Sequence, residues 1–158
     1  MIEFFFDCSS PWTYLAFHNL QPMARALGVE VRWRPILVGG IFNSVNPSVY
    51  EFRTRGVPAK QLYQLKDLQD WAHGRDISQD EVLADLCTRV GVEPQWLFEG
   101  IARPGIKALL KANTDEVIAR GGFGSPTMFV GGDDMYFGND RLELVRDAVL
   151  RRQAASVS

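Results

Sequence analysis

Apolar and polar positions follow two rhythms along this chain. Ile2 to Phe6 is an apolar run with three phenylalanines, interrupted only by Glu3, which suits a strand covered on both faces. From Pro11 onward, Trp12, Leu15, Ala16, Leu20, Met23 and Leu27 recur at helical spacing, and Gly28 supplies the stop. Val29, Val31 and Trp33 then alternate with Glu30, Arg32 and Arg34, so a second strand follows and the crossover is parallel and right-handed. Residues 38–58 read as loop, with Gly39, Gly40, Asn43, Asn46, Pro47 and Pro58. Helical patterns return over about 59–72 and over 79–90, the latter behind a Ser78-Gln79-Asp80-Glu81 capping box. A short helix starts at Pro94, and another runs from about Gly105 to Arg120. Ser125 to Val130 and Met135 to Phe137 flank a Gly131-Gly132-Asp133-Asp134 turn, which predicts a hairpin. A last helix carries Leu142, Val145, Ala148 and Val149, with Asp140 and Glu143 as its cap pair.

The order βαβ, helices, ββα predicts an α/β thioredoxin-like fold with an inserted α-helical domain. Residues 1–45 and 121–158 form its two halves and 46–120 the insertion. At 158 residues, with 46% hydrophobic and 23% charged residues, the chain has the size and balance of one globular domain. A net charge of −2 and the lack of a long basic run argue against nucleic acid as a partner. No apolar stretch reaches the ~20 residues of a membrane span, and Met1 leads into a strand with no basic n-region. A cytoplasmic location is the default expectation. Cys8 and Cys87 form neither a metal cluster nor a redox pair, and no metal site is expected.

Candidate chemistry concentrates at the first strand–helix junction. Ser10 and Pro11 are a favoured N-cap and a favoured first helical residue, so the Ser10 hydroxyl would sit beside unpaired N–H groups at the positive end of a helix dipole. That environment suits anions, thiolates included. Against the redox motif Cys-Pro-x-Cys the chain offers Ser10-Pro11-Trp12-Thr13, a hydroxyl in place of each thiol. A thiol would have to come from a ligand, for which glutathione is the candidate. A Ser-Pro pair is first of all a cap, and a hydrolase role for Ser10 would have only His18 or His73 as base, with no Gly-x-Ser-x-Gly elbow.

Ser125-Pro126-Thr127 is the second feature. In thioredoxin-like folds a cis-proline faces the helix N-terminus and leaves the preceding backbone free to pair with an extended peptide such as glutathione. The third is Phe137-Gly138-Asn139-Asp140, a helix cap in which Asp140 could also accept from a γ-glutamyl ammonium. Asn46-Pro47 is first of all a turn. Cys8 is expected as a buried strand-end thiol and less readily as a catalytic one. Trp71 and Trp96 are expected in the core, and Arg53, Arg55, Lys60 and Lys66 as solvated helix charges.

Together these segments resemble the 2-hydroxychromene-2-carboxylate isomerase family, glutathione-dependent relatives of kappa-class glutathione transferases and DsbA-type oxidoreductases. The likeness rests on Phe6 to Ala16, Gly39-Gly40-Ile41-Phe42, Lys66 to Ala72, Gly74 to Ser78, Ser125 to Val130 and Phe137 to Leu142. The resemblance implies that Ser10 activates the glutathione sulfur, that the backbone at Ser125 and Pro126 pairs with the cysteinyl unit, and that Asn46, Pro47, Phe137, Gly138, Asn139 and Asp140 hold the tripeptide's ends. It also implies a homodimer and an isomerase of aromatic catabolism that acts on a small aromatic substrate by reversible thiolate addition. Alternatives are a kappa-like transferase that consumes glutathione, or a glutathione-binding module without activity. One departure is plain. Family members carry a long helical stretch where only His73 separates Ala72 from Gly74 here, so the helical insertion is shortened.

Overall fold

The computed structural model describes residues 1–50, 62, 66, 79–89 and 91–156. Of the helix expected over about 59–72, only Leu62 and Lys66 fall inside, both helical and exposed. Ser78, Trp71 and the Ala72-His73-Gly74 junction lie outside the described residues. The chain divides into two compact units, Met1–Tyr50 with Leu110–Ser158, and Glu51–Leu109.

The first unit is built on a four-stranded mixed sheet of order β2-β1-β3-β4. Its strands are β1 (Ile2–Phe6), β2 (Val31–Pro35), β3 (Thr127–Val130) and β4 (Asp134–Phe137). β1 runs parallel to β2, as a right-handed crossover through α1 (Pro11–Ala26) requires, and antiparallel to β3. Gly28, at φ +61°, ends the α1 turn, a conformation glycine adopts without steric cost. The hairpin β3–β4 pairs Thr127 with Phe137 and Val130 with Asp134.

The central position of β1 explains its composition. Ile2 and Phe4 point to one face, where they pack with Ala16 and Leu20 of α1, Met128 and Val130 of β3, and Leu142, Val145, Ala148 and Val149 of the C-terminal helix Leu142–Ala155. Phe5 points to the other face and meets Ile36, Ile41, Val117 and Phe129. Each such fully buried side chain contributes about 1.5–3 kcal/mol relative to exposure.

One expectation fails here. Residues 38–44, read as loop, form a seven-residue helix, α2 (Val38–Ser44). One of the two glycines that suggested a loop, Gly40, serves packing instead. A Cβ on Gly40 would lie 3.3 Å from Cγ2 of Thr114, so the small residue lets α2 approach the helix Pro104–Ala119 closely. Thr114 also accepts from the Leu37 amide at 3.0 Å. The segment Ser48–Tyr50 is helical as well. The expected cap pair of the last helix also fails. A 3₁₀ turn, Asn139–Arg141, precedes it, and the helix start has no side-chain cap. Asp140 faces Arg141 instead, at 2.6 Å, and Glu143 faces Arg146.

The helices of chain order are now α3 (Asp80–Arg89), α4 (Pro94–Ala102), α5 (Pro104–Ala119) and α6 (Leu142–Ala155). In the second unit, α4 buries none of its residues, and Trp96, expected in the core, is 66% exposed. An aromatic residue on an apolar stripe indicates a face but not what covers it. Among the described residues no helix is long and apolar enough to cross a membrane.

Glu3 is the polar exception in β1, only 7% exposed. Its carboxylate meets Arg120 at 2.8 Å and Arg34 at 3.6 Å, and Glu116 bonds both arginines, closing a square of two anions and two cations. The Arg120 guanidinium lies 3.7 Å over the Phe129 ring, so it is stacked as well as paired. Removing Glu3 from this part-buried square leaves two guanidiniums to share Glu116, which is costlier than breaking a surface pair. Glu3→Gln is therefore expected to lower unfolding stability by about 3 kcal/mol in urea titration. Lys111→Met, which removes an exposed pair with Asp115, should change it by less than about 0.5 kcal/mol. Equal effects would show the square to be ornamental.

Candidate functional site

Where β1 ends, the chain must turn into α1, whose first N–H groups have no partner inside the helix. Ser10 takes the extended conformation of an N-cap (φ −94°, ψ 117°), and its Oγ accepts from the Thr13 amide at 3.3 Å. The same hydroxyl donates to the carbonyl of Ser125 at 3.2 Å. Ser10 thus caps the helix as the sequence predicts, and its single proton points across to the loop before β3.

That loop contains a cis Ser125–Pro126 bond, as the thioredoxin-like pattern predicts. Ser125 is 7% exposed and Pro126 is fully buried. The Ser125 hydroxyl accepts from the Asp7 amide at 2.9 Å and shares a 2.7 Å bond with Thr13 Oγ1. Thr13, at the position of the second thiol in a redox motif, is therefore buried and committed to Ser125. The Pro126 carbonyl accepts from the Gly138 amide at 3.1 Å, which brings the segment after β4 to the same place. Gly138 has φ +91°, a left-handed backbone that glycine adopts without the strain a side chain would bring.

The remaining predicted residues stand around this centre. Asn139 Oδ1 accepts from Asn19 of α1 at 2.9 Å. Asp140 is exposed, with its carboxylate on Arg141. Phe137 stacks on Phe123 with ring centroids 4.6 Å apart, and it fills the space where a Cβ on Gly124 would fall. Asn46 donates to the Phe123 carbonyl at 3.1 Å and accepts from Ser48 Oγ at 2.8 Å, so its side chain holds the loop that leads to Ser125. The Pro47 carbonyl accepts from Tyr50 N at 3.0 Å in the expected turn. Hydrogen bonds join Ser10 to Ser125 and Gly138 to Pro126, and the cis peptide bond joins the two pairs. Asn46 reaches the group through Phe123, and Asn139 is tied to α1.

Sequence reasoning missed Asp7, Thr13 as a partner of Ser125, and Asn19. Asp7 had a legible signal: an Asp whose carboxylate can accept from the amide two residues on forms an Asx turn, and Asp7 Oδ1 accepts from Ser9 N at 2.8 Å. The long-range partners had none. His18 does not serve as a base for Ser10. It lies eight residues along α1, about 12 Å of helix rise, and packs on Tyr14 and Phe17. His73 is outside the described residues.

The sequence profile of the DSBA-like thioredoxin domain matches residues 1–78 and, in a second segment, 71–150. The chain belongs to the DsbA-like thioredoxin family, with hydroxyls at both positions of the redox thiols. Among its relatives is 2-hydroxychromene-2-carboxylate isomerase of Pseudomonas putida, 29% identical over 208 aligned positions that take in 100% of this chain and 99% of the relative. Glutathione S-transferase kappa 1 of Rattus norvegicus is 22% identical over 200 positions, covering 92% of this chain and 88% of that protein. A solved 2-hydroxychromene-2-carboxylate isomerase structure superposes with a TM-score of 0.74 at 23% identity, over 99% of this chain and 98% of its own. That likeness speaks for the fold. Because 208 aligned positions accommodate 158 residues, about fifty positions of the P. putida relative have no counterpart here. The two profile segments overlap at 71–78, around the junction where the sequence reading places the shortening.

Cys8 corrects a further expectation. It is exposed, not buried, because the Asx turn of Asp7 and Ser9 lifts the residue between them away from the sheet. Around its sulfur the loop nevertheless displaces water, and this desolvation, together with the adjacent Asp7 carboxylate, pushes the thiol pKa up. A raised pKa leaves less thiolate at neutral pH, the opposite of what a catalytic cysteine needs. Alkylation of Cys8 by iodoacetamide should therefore follow a pH midpoint above ~8.5, the value of an unperturbed thiol, and move down in Asp7→Asn. A midpoint near or below neutral would return Cys8 to the list of nucleophiles.

Proposed function

We propose that this protein is a glutathione-dependent isomerase of 2-hydroxychromene-2-carboxylate or a similar intermediate of aromatic breakdown. The observation that carries this reading is the Ser10 hydroxyl, held at the N-terminus of α1 with its proton directed at the Ser125 carbonyl. The names of the isomerase and kappa-class relatives support it.

The donor set fits a thiolate. A hydroxyl has one proton and two acceptor positions, so Ser10 can go on accepting from Thr13 N while it turns its proton from the Ser125 carbonyl to a sulfur. The 3.2 Å bond it gives up is long. The helix N-terminus and the donated proton both favour the charged form of a bound thiol. Glutathione, when bound, supplies the nucleophile, whose reversible addition to the conjugated substrate turns a double bond into a single one and permits rotation before elimination. The Ser125 carbonyl, once released by Ser10, is open to an amide of the tripeptide. Thr13 and Asp7 keep the Ser125 hydroxyl in place.

The kappa-class likeness makes a transferase the second reading, and products separate the two. In the isomerase, glutathione is recovered unchanged after many turnovers; in the transferase it leaves as a conjugate. Calorimetry should show one glutathione per chain, and Ser10→Ala should raise the pKa of the bound thiol, read by ultraviolet titration, and lower kcat about a hundredfold without unfolding the protein. An unchanged thiol pKa would leave Ser10 as a cap alone. Glutathione bound without turnover of the chromene or of any electrophile would select the binding module.

A further inference from the structure

Asp7 has every polar atom committed to one of the segments that surround Ser10. Its Oδ1 accepts from Ser9 N at 2.8 Å and Ser9 Oγ at 2.6 Å, and its Oδ2 accepts from Val38 N at 2.8 Å. Its backbone carbonyl accepts from Ser10 N at 3.1 Å, and its amide donates to Ser125 Oγ at 2.9 Å. A single residue thus bonds the β1–α1 turn, the start of α2 and the cis-proline loop, at sequence separations up to 118.

The links also close on themselves. Leu37, the residue before α2, offers no side-chain cap, so the Asp7 carboxylate supplies one from another loop. Two glycines in a seven-residue helix make that external cap matter. Beyond the C-terminal end of α2, Asn46 donates to the Phe123 carbonyl, two residues before Ser125. The path Asp7, α2, Asn46, Phe123, Ser125 and back to Asp7 is a ring, and Ser10 bonds two of its members, Asp7 through its amide and Ser125 through its hydroxyl.

We infer that Asp7 is the positioning residue of this site: by clamping three loops into a closed ring it aims the Ser10 hydroxyl at the place where a thiolate is stabilised. The role is geometric and runs against the residue's own charge. A carboxylate three residues from Ser10 disfavours a second anion nearby, and among the described residues its donors are N–H and O–H groups with no cation among them. Charge and position therefore give opposite signs when Asp7 is neutralised. Asparagine removes the negative charge, which by electrostatics alone lowers the pKa of a bound thiol. It also puts an N–H₂ where one carboxylate oxygen stood, facing the amide of Ser9 or of Val38, so either the β1–α1 turn loosens beside Ser10 or the ring opens at α2, and both raise that pKa.

The inference rests on glutathione as the ligand, and its test separates the two ideas. Hydrogen exchange on the protein alone should show Asp7→Asn exposing the amides of Val38–Ser44 and of residues 123–125, tenfold or more faster than wild type. With glutathione, the same variant should raise the bound thiol pKa and lower kcat about tenfold, with a smaller change in the glutathione KM. Added to Ser10→Ala it should cost nothing further. Ser125→Ala, which keeps the carbonyl facing Ser10 but removes the acceptor of the Asp7 amide, should move exchange and kcat the same way if Asp7→Asn folds poorly. A lowered thiol pKa, unchanged exchange, or a kcat loss that multiplies with that of Ser10→Ala would overturn the positioning role. If glutathione binds neither wild type nor variants while exchange responds as expected, the ring stands and the ligand assignment falls.

Discussion

The first turn of α1 presents backbone N–H groups that no carbonyl within the helix can satisfy, and much of what surrounds Ser10 answers that deficit. The strand before it is buried on both faces, so the turn from β1 into α1 has little freedom: the chain leaves the sheet at Phe6 and must be helical by Pro11. Ser10 meets the demand with a side-chain oxygen, and in doing so its proton is left to point outward, toward Ser125. Capping and chemistry are therefore one arrangement. The hydroxyl that stabilises the helix is oriented by that duty, and its orientation is what makes it available as a donor.

Replacing both thiols of the redox motif by hydroxyls changes what such a junction can do. Two cysteines at these positions could exchange electrons with a partner disulfide. Ser10 and Thr13 can only hold and redirect protons. Thr13 shows the change most clearly, because its oxygen is buried against the Ser125 hydroxyl at 2.7 Å and strengthens the loop contact. The helix dipole is retained, and with it the preference for an anion. On the proposed reading, a site that keeps the anion preference but gives up its own sulfur takes that sulfur from a ligand.

Much of this was legible in the chain. The apolar run of β1, the 3.6-residue spacing of α1, the glycine after it and the hairpin around Gly131-Gly132 each rest on a local rule, and each stands in the structure. Ser10 as a cap followed from Ser-Pro alone. The misses share another character. Gly39-Gly40 belongs to a helix in which Gly40 approaches Thr114 and Asp7 caps the first turn, neither visible in a local window. Cys8 is exposed because a carboxylate one residue away folds the turn beneath it. Trp96 is exposed because an apolar stripe announces a face and not its cover. Asn46, which the resemblance assigns to a ligand, spends its amide on Phe123, seventy-seven residues away.

The distribution of these contacts along the chain bears on how much a shortened insertion can disturb. Every hydrogen bond that defines the site lies within Met1–Tyr50 or Leu110–Ser158, the unit that carries the sheet. The sequence alone places the shortening at the Ala72–Gly74 junction, in the stretch assigned to the other unit. On the proposed reading, the thiol half of the chemistry rests on the sheet-bearing unit alone. Polarising a thiol needs the α1 terminus, the Ser125 loop and the ring through Asp7, all of which are whole. The side chains and turns that would hold the thiol, those of Ser10, Thr13, Asp7 and Gly138, are joined by contacts inside that unit, so the proposed thiol chemistry does not depend on the length of the insertion.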